Sequence, residues 1–317
     1  SSAASDVYKR QLYTTKTYNQ TFDPKISVSS GYSTLYVQTG SVRNKGVELG
    51  LGYSNEWGKF KWSSNYVFST NKNEILELLE NYVHPETGTV ITKERLDVGG
   101  MGQARFILKK GGSLGDLYST ADLQRDSNGN IYVNEKGEVA SVASEDIKLG
   151  SVFPKCNLSW RNDFKWKNLN FGFMLSARFG GIVYSATQSY LDYYGVSEAS
   201  AVARDLGGVV VNGGDVVNAQ KWYSVVGAQN GIPQYYTYSA TNVRLQEASI
   251  GYTIPKNKLW GIADITVSLV GRNLWMLYCK APFDPEAVAT TGNYYQGIDN
   301  FMTPSARSLG FNVRFKF

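Results

Sequence analysis

The last nine residues of the chain alternate without a break. Leu309, Phe311, Val313, Phe315 and Phe317 are apolar, and Gly310, Asn312, Arg314 and Lys316 between them are small, polar or charged. A period of two is that of a β-strand, whose side chains point to opposite faces in turn. A strand divided this sharply has one face for an apolar medium and one for water, and the apolar medium is either a protein core or lipid. The pattern recurs upstream as a hairpin. Cys156, Leu158, Trp160, Phe164 and Trp166 alternate with Asn157, Ser159, Arg161, Asp163 and Lys165; after Lys167-Asn168 the apolar face resumes at Leu169, Phe171, Phe173, Leu175, Ala177 and Phe179. Strands of about eleven residues suit a tilted crossing of a bilayer. Val47, Leu49, Leu51 and Tyr53 lead into a turn expected at Asn55-Glu56-Trp57-Gly58, and Phe60, Trp62, Tyr66 and Phe68 follow it. Val243 and Leu245 are out of phase with Ile250, Tyr252 and Ile254, which predicts a β-bulge at Gln246–Glu247.

Ten strands are expected, at 12–22, 42–54, 59–71, 101–109, 117–124, 152–166, 169–180, 239–254, 262–278 and 305–317. The connections between them alternate: 55–58, 110–116, 167–168 and 255–261 are short, and 23–41, 72–100, 125–151, 181–238 and 279–304 are long. Outer-membrane barrels show this parity, with short turns on the periplasmic side and long loops outside. The fold class read from the pattern is therefore all-β, an antiparallel outer-membrane β-barrel. Composition agrees: aromatic residues make up 14% of the chain, with 22 Tyr and 32 Gly against 8 Pro. Tyr suits a surface between lipid and water, and Gly suits the bends of many strands. No apolar run reaches the ~18 residues of a membrane helix, which excludes a helical membrane protein and leaves a barrel open. The net charge of +5 is spread over single Lys and Arg residues, so no nucleic-acid footprint is present. Cys156 and Cys279 lie in no metal-binding or redox motif and are too few for a disulfide scaffold. Ser1–Gln11 is polar, without the apolar stretch of a secretion signal, and reads as a non-native scar ahead of a barrel portion at 12–317.

Catalytic signals are lacking. His84, the single histidine, precedes Pro85 in a polar connection and reads as a surface residue. Gly111-Gly112-Ser113-Leu114-Gly115 has no Lys-Ser/Thr after it and reads as a turn rather than a phosphate loop. In Asp126-Ser127-Asn128-Gly129-Asn130 the Gly is fourth, not sixth as in a calcium loop, and Asn-Gly reads as a hairpin turn. No catalytic residue, metal ligand or cofactor is assigned, and the chain does not read as an enzyme. The long connection 181–238 is rich in Tyr and Trp. Within it Tyr193, Tyr194, Trp222, Tyr235 and Tyr236, together with Tyr294 and Tyr295 in 279–304, are the candidate ligand or partner contacts. Aromatic faces stack on sugar rings and pack peptides. The same rings also suit packing of a long loop on itself, and both readings stay open here.

Several short segments resemble, in order, those of SusC/RagA-type TonB-dependent transporters. Asn44-Lys45-Gly46-Val47-Glu48 is similar to that family's NKGxE segment. Val243-Arg244-Leu245 with Ser249-Ile250-Gly251-Tyr252-Thr253-Ile254-Pro255 is similar to its RL…LGYTLP strand. Gly271-Arg272-Asn273-Leu274, Asp284-Pro285-Glu286 and Thr303-Pro304-Ser305-Ala306-Arg307 are similar to its GxNL, DPE and TPRT elements; the last departs at Ser305-Ala306. The resemblance implies a 22-stranded barrel with an N-terminal plug and a TonB-binding box, neither of which is in this sequence. About ten strands would then be the C-terminal strands of a larger barrel, forming an open, curved sheet.

The function expected from the resemblance is TonB-dependent import of glycan or peptide nutrients through the Gram-negative outer membrane, with a SusD-like surface lipoprotein as lid. TonB would act through the missing N-terminal part. Two rivals remain at this point: a complete small porin or adhesin barrel, and a soluble all-β sugar-binding module. The first requires pairing between the first and last strands. The second requires a sheet covering the Phe311–Phe317 face. With the C-terminus on the periplasmic side, parity places 181–238 and 279–304 outside, and the odd positions of 309–317 against lipid.

Overall fold

The computed structural model describes residues 5–22, 37–38, 40–83, 88, 90–259, 261–290 and 295–317. His84, Pro85 and Tyr294 lie outside the described residues. The principal strands are β1 (Ser5–Tyr18), β2 (Ser41–Trp57), β3 (Phe60–Glu77), β4 (Arg95–Met101), β5 (Ala104–Lys109) and β6 (Asp116–Leu123). They continue with β7 (Ser141–Ser151), β8 (Cys156–Trp166), β9 (Leu169–Phe179), β10 (Asn242–Ile254), β11 (Asp264–Cys279) and β12 (Ser308–Lys316).

Eight of these form one sheet in the order β1-β2-β3-β8-β9-β10-β11-β12, and every neighbouring pair is antiparallel. β1 and β12 are its two edges and do not pair with each other, so the sheet is open. β1 begins at Ser5, so Ser5–Gln11 continues the strand expected from 12. The turn expected at 55–58 is tighter: Asn55, Glu56 and Trp57 still pair with β3, and Gly58-Lys59 alone turns the chain, with Gly58 at φ +60°. The bulge falls at Gln246, the residue skipped between Leu245 and Glu247 in the registers with both β9 and β11. It lets Val243 and Leu245 share a face with Ala248, Ile250 and Tyr252.

Register shows what the alternation achieves. Phe311 lies opposite Leu269, Leu269 opposite Ile250, Ile250 opposite Phe171, Phe171 opposite Phe164, and Phe164 opposite Trp62. One step along, Asn312 lies opposite Ser268, then Gly251, Asn170, Lys165 and Lys61. Directly opposed residues share a face, so one face is apolar across six strands and the other is polar. The apolar rings and side chains are largely open: Phe311, Leu269, Ile250 and Phe171 are all exposed, as are Leu309, Val313, Phe315 and Phe317. Among the described residues no second sheet covers them. The polar face carries an ionic chain in which Arg161 pairs with Asp163 (2.9 Å) and Glu247 (3.3 Å), and Glu247 with Arg272 (3.2 Å).

Short turns lie at one end of this sheet, at 58–59, 167–168 and 255–263, and the long connections lie at the other. Rings cluster toward the short-turn end: Trp57 stacks on Phe60 (6.0 Å between centroids), Trp62 on Phe164 (6.4 Å) and Phe164 on Phe171 (6.1 Å). Two indole N–H groups on the apolar face are satisfied within it, Trp62 Nε1 donating to Asn162 Oδ1 (3.1 Å) and Trp160 Nε1 to Ser64 Oγ (3.0 Å). An unpaired donor there would be costly in hydrocarbon.

Two of the ten expected wall strands are corrected. Residues 104–109 and 116–123 are strands, but they belong to a separate four-stranded sheet ordered β7-β6-β5-β4. Phe106, Ile107 and Leu108 are all buried, so both faces of β5 are covered, unlike a wall strand. The connection 180–241 is also folded rather than loose. It holds three helices, α1 (Ala186–Tyr193), α2 (Glu198–Asp205) and α3 (Ala219–Val226), and the short strands Ile182–Ser185 and Thr237–Ser239. Each helix starts at a side-chain cap: Ser185 Oγ accepts from Gln188 N (3.0 Å), Ser197 Oγ from Ser200 N (3.0 Å), and Asn218 Oδ1 from Gln220 N (3.0 Å). One core joins these pieces into a cap: Phe106, Leu117 and Leu123 from the small sheet pack with Tyr184, Trp222, Val226, Tyr236 and Ile298. Asn212 adds a polar tie, its side chain bonding both Ile131 N (2.8 Å) and Ile131 O (2.8 Å).

Candidate ligand site in the folded connections

Four of the five segments that carry the family resemblance meet at one buried cluster. Arg244 on β10 is 4% exposed. Its guanidinium donates to Asp284 Oδ1 (2.9 Å), Asn273 Oδ1 (3.3 Å) and Asn242 Oδ1 (3.2 Å), and pairs with Glu286 Oε2 (3.0 Å). Asp284 also accepts from Ser305 Oγ and from the backbone N–H of Glu286 (3.0 Å). Burial pulls the Asp284 carboxyl up, but the Ser305 and Arg244 hydrogen bonds outweigh it and hold the group below the usual range. Asn273 adopts φ +52° and donates to Ala306 O (3.4 Å). The cluster therefore clamps the connection 280–307 onto the ends of β10 and β11. Asp284 and Glu286 act as its counter-charges.

The candidate aromatic residues divide into two groups. Trp222 is 5% exposed and Tyr236 2% exposed, and both belong to the cap core. Their burial favours packing, one of the two readings the sequence leaves open. Tyr235 sits edge-on to Trp222 (5.3 Å) and keeps part of its ring in solvent. Tyr193 and Tyr194 are exposed and stand edge to face, 5.0 Å apart. They line a hollow of about 260 Å³ between α1, α2 and α3, with Asp192, Arg204, Gln220 and Tyr223. Tyr295 is exposed at φ +74° and does not line that hollow; its hydroxyl packs over Gly99, where a Cβ would lie 2.9 Å away.

Under the hollow, Asp192 is 5% exposed and receives the Gln188 amide at Oδ1 (2.9 Å). The buried Tyr236 hydroxyl lies near this carboxylate without a hydrogen bond of good geometry; burial, and then the Asp192 charge, push it far above the ordinary tyrosine range. Burial and the same charge push Tyr238 up to about 12, and Tyr223 is raised by the same two causes. Neither Asp192 nor Arg204 was singled out from sequence, since nothing local marks them. Elsewhere, Asp126 Oδ1 accepts the N–H groups of Asn128 and Asn130 (2.8 and 2.9 Å) in a hairpin turn with Gly129 at φ +84°. Cys156 and Cys279 are free thiols.

No family model matches the chain. Curated proteins do: TonB-dependent receptor P3 of Formosa agariphila is 25% identical over 334 residues, covering 96% of this chain and 32% of the receptor. TonB-dependent receptor P26 of the same organism is 26% identical over 332 residues, with the same coverage. Among solved structures, the RagAB peptide importer in the open-open state matches with a TM-score of 0.65 at 17% identity, covering 98% of this chain and 33% of that one. The RagAB peptide transporter matches with a TM-score of 0.65 at 15% identity. The chain spans about a third of the length of the relatives it matches. In sequence the chain is related to the TonB-dependent receptors, and its fold matches about a third of the RagAB transporter.

Proposed function

We propose that the chain forms part of the wall and the extracellular cap of a TonB-dependent outer-membrane importer of glycan or peptide nutrients. The observation that carries this reading is the eight-stranded sheet with one exposed apolar face and one ionic face. A sheet of that kind separates lipid from a water-filled or plugged lumen. The ring cluster near the short turns then lies at a headgroup boundary, where aromatic girdles form. The cap lies at the opposite, extracellular end, where nutrient arrives and where a SusD-like lipoprotein would close over it. TonB would drive transport through a plug supplied by the rest of the receptor.

The relatives support this reading as receptors and importers, none of them named for a reaction on substrate. The test is growth of the native host on defined glycan or peptide mixtures as sole carbon source, with the receptor gene deleted and separately with TonB removed. Loss of growth on the same nutrient in both strains is expected. Growth unchanged by deleting the receptor on every mixture contradicts it.

A further inference from the structure

We propose that the hollow between α1, α2 and α3 is a subsite for one neutral sugar ring of a glycan, an inference that rests on the import reading above. The first ground is electrostatic. Asp192 is 5% exposed, sits in the last turn of α1, and has no Lys or Arg within ion-pair distance among the described residues. No basic side chain lies in that last turn, so the carboxylate adds to the negative pole of its own helix. Its neighbouring side-chain donors are neutral: the Gln188 amide bonds it, and the Tyr236 hydroxyl lies near it.

Across the hollow stands Arg204 on α2. Its Nη1 is turned to Gly195 O (2.8 Å) and touches Ser200 Oγ (3.5 Å), not Asp192. A carboxylate and a guanidinium thus line one cavity without pairing. An ammonium ligand would satisfy Asp192 and meet Arg204, and an anion would do the reverse; a zwitterion could engage both, and triglycine is the control for it. A pyranose ring donates one hydroxyl to Asp192, offers the lone pairs of another to Arg204, and introduces no charge. Tyr193 and Tyr194, exposed and set edge to face, supply ring faces for the C–H face of a sugar. Gln220 supplies a further amide on the rim.

The probe set is the methyl α- and β-glycosides of glucose, galactose, mannose and xylose, with triglycine as the zwitterionic control. Each is titrated into the full-length receptor in detergent and followed by saturation-transfer NMR. At least one glycoside should bind, and Tyr194→Ala and Asp192→Asn should each weaken it about tenfold or more. Tyr194→Ala leaves the cap core intact, so its thermal unfolding should match wild type and separate ligand loss from misfolding. No glycoside binding, binding unchanged in both variants, or binding of triglycine alone overturns the subsite. Host growth assays with the same variants keep the two claims apart: TonB-dependent import with no glycoside binding sinks the subsite and leaves the import reading standing.

Discussion

Replacing Arg244 with Met tests whether the motif cluster holds the connection 280–307 to the sheet. The guanidinium is 4% exposed and contacts Asp284, Glu286, Asn242 and Asn273 at 2.9–3.3 Å. Removing one partner of a buried ion pair costs about 3–5 kcal/mol, mostly because the other charge stays buried without compensation. Asp284 keeps Ser305 and one backbone N–H, and Glu286 is 41% exposed and can return to water. The expected cost therefore sits at the lower end, about 3 kcal/mol. It should be local, appearing as faster backbone hydrogen exchange and proteolysis within 280–307 in the detergent-solubilised full-length receptor, with the wall strands unaffected. Asp284→Leu in the Arg244→Met background removes the stranded charge and should restore part of the protection. A single variant that leaves exchange in 280–307 unchanged, or a double variant less protected than either single one, refutes the clamp.

Three other outcomes follow from the cap. Asp146 is held down at about 2 by its hydrogen bond to Arg95 (2.6 Å) and by Lys109 (2.9 Å), so its stabilisation is full above its ordinary value of 3.8 and is lost as pH falls through about 2. The shift corresponds to roughly 2 kcal/mol, lowered to about 1 kcal/mol by solvent around the half-open partners; cap unfolding followed from pH 5 to 2 should show this fall in wild type and not in Asp146→Asn. Trp222→Ala should destabilise the cap by about 3–5 kcal/mol, because it empties a core site, whereas Tyr194→Ala, at a residue 70% exposed, should change cap melting little; equal effects would contradict the division of the aromatic residues. Asn212→Ala removes both bonds to Ile131 and should cost about 1–2 kcal/mol, read as earlier exchange at residues 124–139.

The wall was legible because a half-buried strand must alternate, and a single residue out of phase, Gln246, already marked the bulge. The cap was less legible. Strands 104–109 and 116–123 were visible as strands, but the unbroken run Phe106-Ile107-Leu108 signals two covered faces and so a sheet outside the wall. β4 and β7 were hidden inside expected connections. The helices of 180–241 left local traces at Ser185, Ser197 and Asn218, whose side chains cap them, but each helix is only eight residues long and shows little periodicity. Trp222 and Tyr194 look alike in sequence; only packing against Val226 and Tyr236 separates core from surface. The Arg244 cluster joins residues 40 positions apart, a pairing no local pattern reveals.

The central claim is that the apolar face of the eight-stranded sheet meets lipid. Single cysteines at Val313 and at Asn312, in a full-length receptor lacking Cys156 and Cys279, can carry a small fluorophore and be folded into vesicles with brominated acyl chains. Strong quenching at 313 and weak quenching at 312 is the expected result, and Val313→Arg should lower folding into vesicles by about 2–4 kcal/mol where Asn312→Arg does little. Equal quenching at the two positions, or stronger quenching at 312, would contradict the account.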